Sequence, residues 1–392
     1  MGKQKPRLLF YFLHLLGVGH VYRARRLIEA FAAEGLAVDV VYGGVPLQGV
    51  SFAAESVHYL PPVRAADATY KKMLTGDREE LSVDYMKSRK QALLSAYAGL
   101  EPDAIITEAF PFGRRVVRDE IDALFRAAAK RPNAPLIVSS VRDILQGNRK
   151  PGRREEMRDW IRDRFDYVLV HADPDVIRLD ETFPLVSDIE EKLTYTGFVV
   201  PPVQDKPIVD QHDVIVSSGG GMFGGELMAI ALQLANSDVR RSWCLSTGPN
   251  LSRESAATLR DNAASHVTIV EYLDGLAEHM KQAKISISQC GYNTSMDALA
   301  AHEASDCRAV FVPHDTTGQT EQLRRAALLQ KAGYGICVPQ SELTTERLRN
   351  AVQQAQQLPK ISRAIDFNGA ANSASFLRQW IESRGESTAT KT

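Results

Sequence analysis

Four stretches of this sequence combine residue types and spacing that could do chemistry. The first is Gly17-Val18-Gly19-His20, which opens a helical pattern. Glycines there let a backbone approach a ligand, and N–H groups at a helix start can receive an anion or a sugar oxygen. His20 adds the side chain best suited to take a proton near neutral pH. The dinucleotide-binding fingerprint is absent, because Arg23 stands where its third glycine belongs. Taken alone, His20 is more simply a polar helix-start residue. The second stretch, Ser217 to Gly225, packs five glycines into seven residues before a helix at Glu226. That cost suits a nest for a diphosphate, and no Lys-Ser/Thr follows to make it an ATPase loop.

The third stretch is Ser288-Gln289-Cys290-Gly291-Tyr292-Asn293-Thr294-Ser295-Met296-Asp297. Thr294 can cap a helix with Asp297 completing a capping box; alternatively Asp297 accepts hydrogen bonds from a vicinal diol such as a ribose. The fourth runs from Val312 through His314 and Asp315 to Glu321 and Gln322. A carboxylate beside an amide early in a helix can read adjacent sugar hydroxyls.

Parallel strands must position these loops. Apolar runs at Leu8–Leu13, Val38–Tyr42, Ala104–Thr107, Leu136–Ser139, Tyr167–His171 and Lys192–Thr196 alternate with helical patterns at 21–33, 78–98, 114–130 and 153–164. Such alternation builds a doubly wound α/β sheet. After YTGFVVPPV (195–203) a second series begins with strands near 214, 242, 267, 285, 309 and 335. The expected organisation is an acceptor-side domain over 1–200, a donor-binding domain over 201–385 and a disordered tail over 386–392. Ligands are expected in a cleft at the carboxyl ends of the strands.

Composition fits a small-molecule protein. The chain has 392 residues, 44% hydrophobic and 24% charged, with 47 basic against 48 acidic side chains. Charge is balanced in both halves, so neither is a nucleic-acid platform. Four cysteines without CxxC spacing argue against a zinc ribbon or a disulfide scaffold. The run LLFYFLHLL is too short to span a bilayer and lacks a cleavage site, so the cytoplasm is the expected location.

The four stretches, in this order and spacing, resemble GT-B glycosyltransferases: two Rossmann-like domains whose parallel sheets face across a cleft. Among these the chain looks like glycosyltransferase family 28, typified by the enzyme adding N-acetylglucosamine to the peptidoglycan lipid precursor. FPFGRR (110–115) and SSVRDIL (139–145) suggest an uncharacterised group of predicted bacterial glycosyl transferases within that clan. The resemblance implies an inverting hexosyl- or N-acetylhexosaminyltransferase taking a nucleoside-diphosphate sugar, with UDP as its nucleotide. Ser218, Gly219, Gly220 and Gly221 would hold the diphosphate, Asp297 the ribose, Glu321 and Gln322 the sugar, and Tyr272 and Leu273 the base. Gly17, Gly19, Gly291, Asn293 and Thr294 complete the expected donor contacts.

His20 is the expected base, with Glu108 and Asp143, both at strand exits, in reserve. The acceptor, whether glycan, lipid-linked or small molecule, is open; nucleic acid is not expected, and membrane contact is at most peripheral. No cofactor or metal is expected. Asp173-Pro174-Asp175 has the form of a metal-binding DxD but reads as a capped helix start. The arginines of 149–164 alternate with acids and read as a solvated helix face. A nucleotide-sugar epimerase of the same architecture, or a non-catalytic sugar-nucleotide or partner-binding homologue, remain alternatives.

Overall fold

The computed structural model describes every residue except 1–4, 68–69, 148–149, 202–207, 209, 220–223, 316–319 and 390–392. It divides into two compact units, residues 1–199 with 368–392, and residues 200–367.

The first unit opens with β1 (Arg7–Phe12), α1 (Gly19–Ala33), β2 (Ala37–Tyr42) and β3 (Ser56–Tyr59). A short antiparallel hairpin, β4 (Val63–Ala65) and β5 (Met73–Thr75), precedes α2 (Val83–Ala98). Then come β6 (Ala104–Glu108), α3 (Arg118–Ala128), β7 (Leu136–Arg142), α4 (Arg153–Arg164), β8 (Tyr167–His171) and β9 (Leu193–Tyr195). The seven-stranded sheet runs β3-β2-β1-β6-β7-β8-β9, parallel throughout. Continuous apolar runs are what a strand covered on both faces requires, and β1 is buried from Leu8 to Phe12.

The hairpin shortens the helix expected from residue 78. Arg78 sits at φ 68°, and the helix instead starts where Ser82 Oγ accepts the Tyr85 N–H at 3.0 Å. The helix expected from residue 114 likewise begins at Arg118, because Arg114 takes φ 61° and a 3-10 turn follows.

The second unit contains β10 (Val214–Ser217), α5 (Gly225–Ser237), β11 (Trp243–Ser246), α6 (Arg253–Asp261), β12 (Val267–Val270) and α7 (Leu276–Gln282). It continues with β13 (Ile285–Ser288), α8 (Tyr292–Ala304), β14 (Arg308–Phe311), α9 (Glu321–Lys331), β15 (Ile336–Cys337) and α10 (Thr345–Gln356). Its parallel sheet runs β12-β11-β10-β13-β14-β15.

The final helix, α11 (Gly369–Ala389), departs from the expected organisation. It was assigned by sequence to the second domain, yet it belongs to the first unit, and helix continues to Ala389 where a disordered tail was expected. Its apolar face explains this: Ala374 and Leu377 are buried in the first unit's core, and Trp380 stacks on Tyr167 at 3.8 Å. Asn372 Nδ2 donates to Thr196 O at 2.8 Å. Gly369 lies so close to the first unit's backbone that a Cβ there would sit 2.4 Å from Gly197 O. The expected boundary near residue 200 coincides with the division between units; Pro202 lies outside the described residues.

Candidate functional site

In an open parallel sheet, ligands bind where strand order reverses direction. In the first unit that point lies between β1 and β6, and in the second between β10 and β13. Three of the four stretches leave the sheets there, after β1, β10 and β13, and the fourth leaves one strand beyond, after β14.

At the first switch point, α1 carries His20 in its first turn and Arg23 one turn on. Glu108 ends β6 and is fully buried. His20 Nδ1 lies 2.7 Å from Glu108 Oε1, the oxygen that also accepts from Arg23 Nη2. Because Arg23 is charged, Glu108 is held as a carboxylate, and a carboxylate accepts only; the hydrogen-bonding His20 nitrogen is therefore the donor. Nε2 is left as the basic nitrogen of the ring.

Burial pushes His20 down to about 3, against the opposing pull of Glu108 and with Arg114 adding to the depression. Burial alone would raise Glu108, but the cationic side chains around it prevail and its carboxyl falls well below the ordinary range. Arg114 reaches the same place: its Nε donates to Leu13 O at 3.0 Å and its Nη2 lies 3.8 Å from Glu108 Oε2. Asp143, immediately after β7, is buried, and its Oδ1 accepts the Ile144 N–H at 2.7 Å. Of the two reserve carboxylates, Glu108 therefore joins His20 as its partner. A Cβ on Gly17 would meet nothing within 4 Å, while Gly19 is the first residue of α1.

At the second switch point, both donors of Ser218 are engaged within the unit: its N–H with Ser246 O at 3.2 Å and its hydroxyl with Thr247 O at 2.5 Å. Gly219 takes φ +63°, and a Cβ there would stand 3.1 Å from Thr294 Oγ1, so glycine keeps this approach open. Gly220 and Gly221 lie outside the described residues.

The capping-box expectation is not met. α8 starts at Tyr292 with Gly291 as N-cap and no side-chain cap bond, which places Asn293 and Thr294 inside the first turn and Asp297 in the second. The first N–H groups of this helix are thus left to other partners. Asp297 is buried, 7% exposed.

In α9, Arg325 is the residue that sequence reasoning did not single out. Fully buried, it donates to Cys290 O at 2.8 Å and to Glu321 Oε1 at 2.9 Å, tying the β13–α8 loop to the first turn of α9. Gln322 Oε1 accepts the His314 N–H at 3.1 Å, so its amino group is the end it can offer. Tyr272 and Leu273 follow β12; Tyr272 is 68% exposed.

Two further motifs have local partners. Asp173 forms a turn rather than a helix start, its Oδ1 accepting the Asp175 N–H at 2.9 Å. On α4, Arg158 pairs with Asp159 and Asp188, and Arg162 with Asp159 and Asp163. Among the described residues no group of three or more His, Cys, Asp or Glu could hold a metal ion, and no helix is long and apolar enough to cross a membrane.

Residues 227–375 match the glycosyltransferase family 28 C-terminal domain. The fold of the whole chain is similar to that of the calicheamicin glycosyltransferase CalG4, with a TM-score of 0.62, 16% identity, and coverage of 96% of this chain and 94% of that one. The chain has the GT-B fold and resembles glycosyltransferase family 28.

Two relatives carry the family resemblance. The UDP-N-acetylglucosamine--N-acetylmuramyl-(pentapeptide) pyrophosphoryl-undecaprenol N-acetylglucosamine transferase of Thermotoga neapolitana is 25% identical over 48% of this chain and 52% of its own length. An uncharacterised glycosyltransferase of Methanopyrus kandleri is 25% identical over 72% of this chain and 79% of its own length. The chain thus spans about half the length of the N-acetylglucosamine transferases it matches. The family 28 match takes in α8 and α9 in full, and with them Asp297, Glu321, Gln322 and Arg325.

Proposed function

We propose that this GT-B protein transfers a hexosyl or N-acetylhexosaminyl group from a UDP-sugar to an acceptor hydroxyl, with inversion and without a metal. The observation that carries the reading is the 2.7 Å pair of His20 Nδ1 and Glu108 Oε1. A histidine whose Nδ1–H is held by a carboxylate presents Nε2 as a base, and the carboxylate then stabilises the imidazolium that forms. Burial moves His20 far below the near-neutral value expected of a base, so its ring is neutral at pH 7. In this mechanism Nε2 takes the acceptor proton only as the transition state forms, while Arg23 keeps Glu108 in place and ionised.

The donor belongs to the second unit. Asp297 accepts from the ribose hydroxyls, and Glu321 with Gln322 supplies one acceptor and one donor to the sugar. The N-terminal end of α8, with Gly219 beside Thr294, turns its positive dipole toward the leaving diphosphate, whose charge grows in the transition state. The names of the relatives, with UDP-N-acetylglucosamine as a substrate, support UDP as the nucleotide. Cys244, Cys290 and Cys307 are buried free thiols, which suits a reducing cytoplasm.

The experiment is a panel of UDP-sugars followed by thermal stability and by UDP release, with and without EDTA. At ~100 times its dissociation constant a donor raises stability by about 2.7 kcal/mol. Stabilisation and UDP release that both survive EDTA are expected. Release abolished by chelation and restored by manganese would end the metal-free reading. Conversion of the sugar nucleotide without UDP release would indicate an epimerase.

A further inference from the structure

We propose that the acceptor bears an anionic group, phosphate or carboxylate, bound by Arg114 beside the His20–Glu108 pair. Calling the ligand an acceptor rests on the glycosyl-transfer reading above; the anion site itself rests on the side chains of the first unit.

Arg114 is placed at some conformational cost. Its φ of 61° is left-handed, a region a bulky side chain seldom occupies without reason. Its Nε–H···O bond to Leu13 then fixes the guanidinium beside the end of β1. The side chain is only 10% exposed, and Nη2 is buried with no hydrogen-bond partner. Glu108 does not fill that role: its Oε2 is 3.8 Å away, beyond hydrogen-bond reach, and is itself without a hydrogen bond. Glu108 needs no second cation, because Oε1 already receives Arg23 and His20.

The surrounding charge is positive. Arg142 ends β7 near enough to disfavour a further positive charge on both His20 and Arg114. Arg64, on β4, acts the same way on His14 at the end of β1. Asp143, the residue after Arg142, accepts a backbone N–H at its own turn. Burial, opposed by Glu108, pulls Arg114 below its ordinary value, and a bound anion would reverse that pull. A sugar hydroxyl needs no such arrangement. A planar guanidinium with unmet N–H groups matches the paired oxygens of a phosphate or carboxylate.

The test is calorimetric titration of the full chain with inorganic pyrophosphate and, separately, succinate, UDP being kept saturating so that the second unit's diphosphate site is occupied. At least one probe should bind wild type, and Arg114→Gln should weaken it tenfold or more while UDP affinity stays unchanged. Preference for one probe distinguishes a phosphorylated from a carboxylated acceptor. Should Arg114→Gln fail to fold, Arg114→Lys decides: it keeps the charge but loses the fork, and a several-fold weaker anion affinity is expected. Equal affinity in wild type and variants, or no binding of either probe to wild type, overturns the proposal. Failure of UDP to bind would instead count against the transfer reading, while the wild-type and variant comparison still decides the anion site.

Discussion

Glu108 Oε1 lies 2.7 Å from His20 Nδ1 although 88 residues separate them, because β1 and β6 are neighbours in the sheet. The register brings the loop after β1 to the carboxyl end of β6, and α1 starts in that loop. Arg23 meets the same oxygen from the next turn of α1, so one carboxylate sets the orientation of the ring and neutralises the cation beside it.

His20→Ala should therefore lower kcat by about 10²–10⁴ while UDP affinity changes less than about twofold. Glu108→Gln should lower kcat as well, since an amide neither fixes the ring tautomer nor stabilises its charged form. Rates as a function of pH for both variants and Asp143→Asn, with donor affinity measured separately, provide the check. A His20→Ala enzyme that keeps its turnover while Asp143→Asn loses it would move the base to the carboxylate.

Much of this was legible in the sequence because it depends on local pattern. Parallel strands buried on both faces read as continuous apolar runs, and the glycine and histidine stretches fall at strand exits as expected. What was not legible depends on packing across the chain. Nothing local to Gly369–Ala389 reveals that its apolar face fits the first unit, 170 residues upstream of where it begins, rather than the domain preceding it. Arg23 looked like a missing glycine, and only its distance to Glu108 gives it a role. Arg325 lies in a helical run of ordinary polarity; its burial is a tertiary fact. The short strands β3, β4 and β5 are not marked by an apolar run, their residues being Ser56–Tyr59, Val63–Ala65 and Met73–Thr75, with polar side chains among them.

Asp297→Asn should weaken UDP binding by roughly 1.5–3 kcal/mol, the range for hydrogen bonds to a charged group. Because Gly291 and not Thr294 caps α8, no capping role is lost with the carboxylate. Melting temperature and UDP affinity, measured together, decide the matter. Normal UDP affinity in the variant would remove Asp297 from the donor site.

Arg325→Met should affect stability and donor binding together. Removing one member of a buried pair costs about 3–5 kcal/mol, and the lower end is expected because Glu321 keeps 13% of its side chain exposed. With the bond to Cys290 O gone, the β13–α8 loop and Glu321 lose their common anchor, so the Kd for a UDP-sugar should rise more than the Kd for UDP alone. Equal changes for the two ligands would make Arg325 a purely structural residue.

Three histidines of the first unit, His14 and His171 buried and His20 nearly so, should make folding sensitive to acid. Burial lowers His14 to about 4 and His20 and His171 to about 3. His171 bonds two hydroxyls, Ser140 Oγ at 2.7 Å and Thr196 Oγ1 at 2.9 Å, and burial together with the Arg23 charge outweighs the opposing pull of Glu108. The folded values lie below the unfolded value of about 6.5, so as pH falls below that point the unfolded chain binds protons that the folded chain does not. Stability is thus lost progressively from about pH 6.5 down to about pH 4 for His14 and about pH 3 for His20 and His171, and at pH 5 each group contributes a loss on the order of 2 kcal/mol. Denaturant unfolding at pH 7 and pH 5 measures the slope. His171→Gln should be less stable than wild type at pH 7, because one amide cannot serve both hydroxyls, but its slope should be shallower by roughly one titrating group. A variant slope equal to that of wild type would mean that His171 does not supply this acid sensitivity.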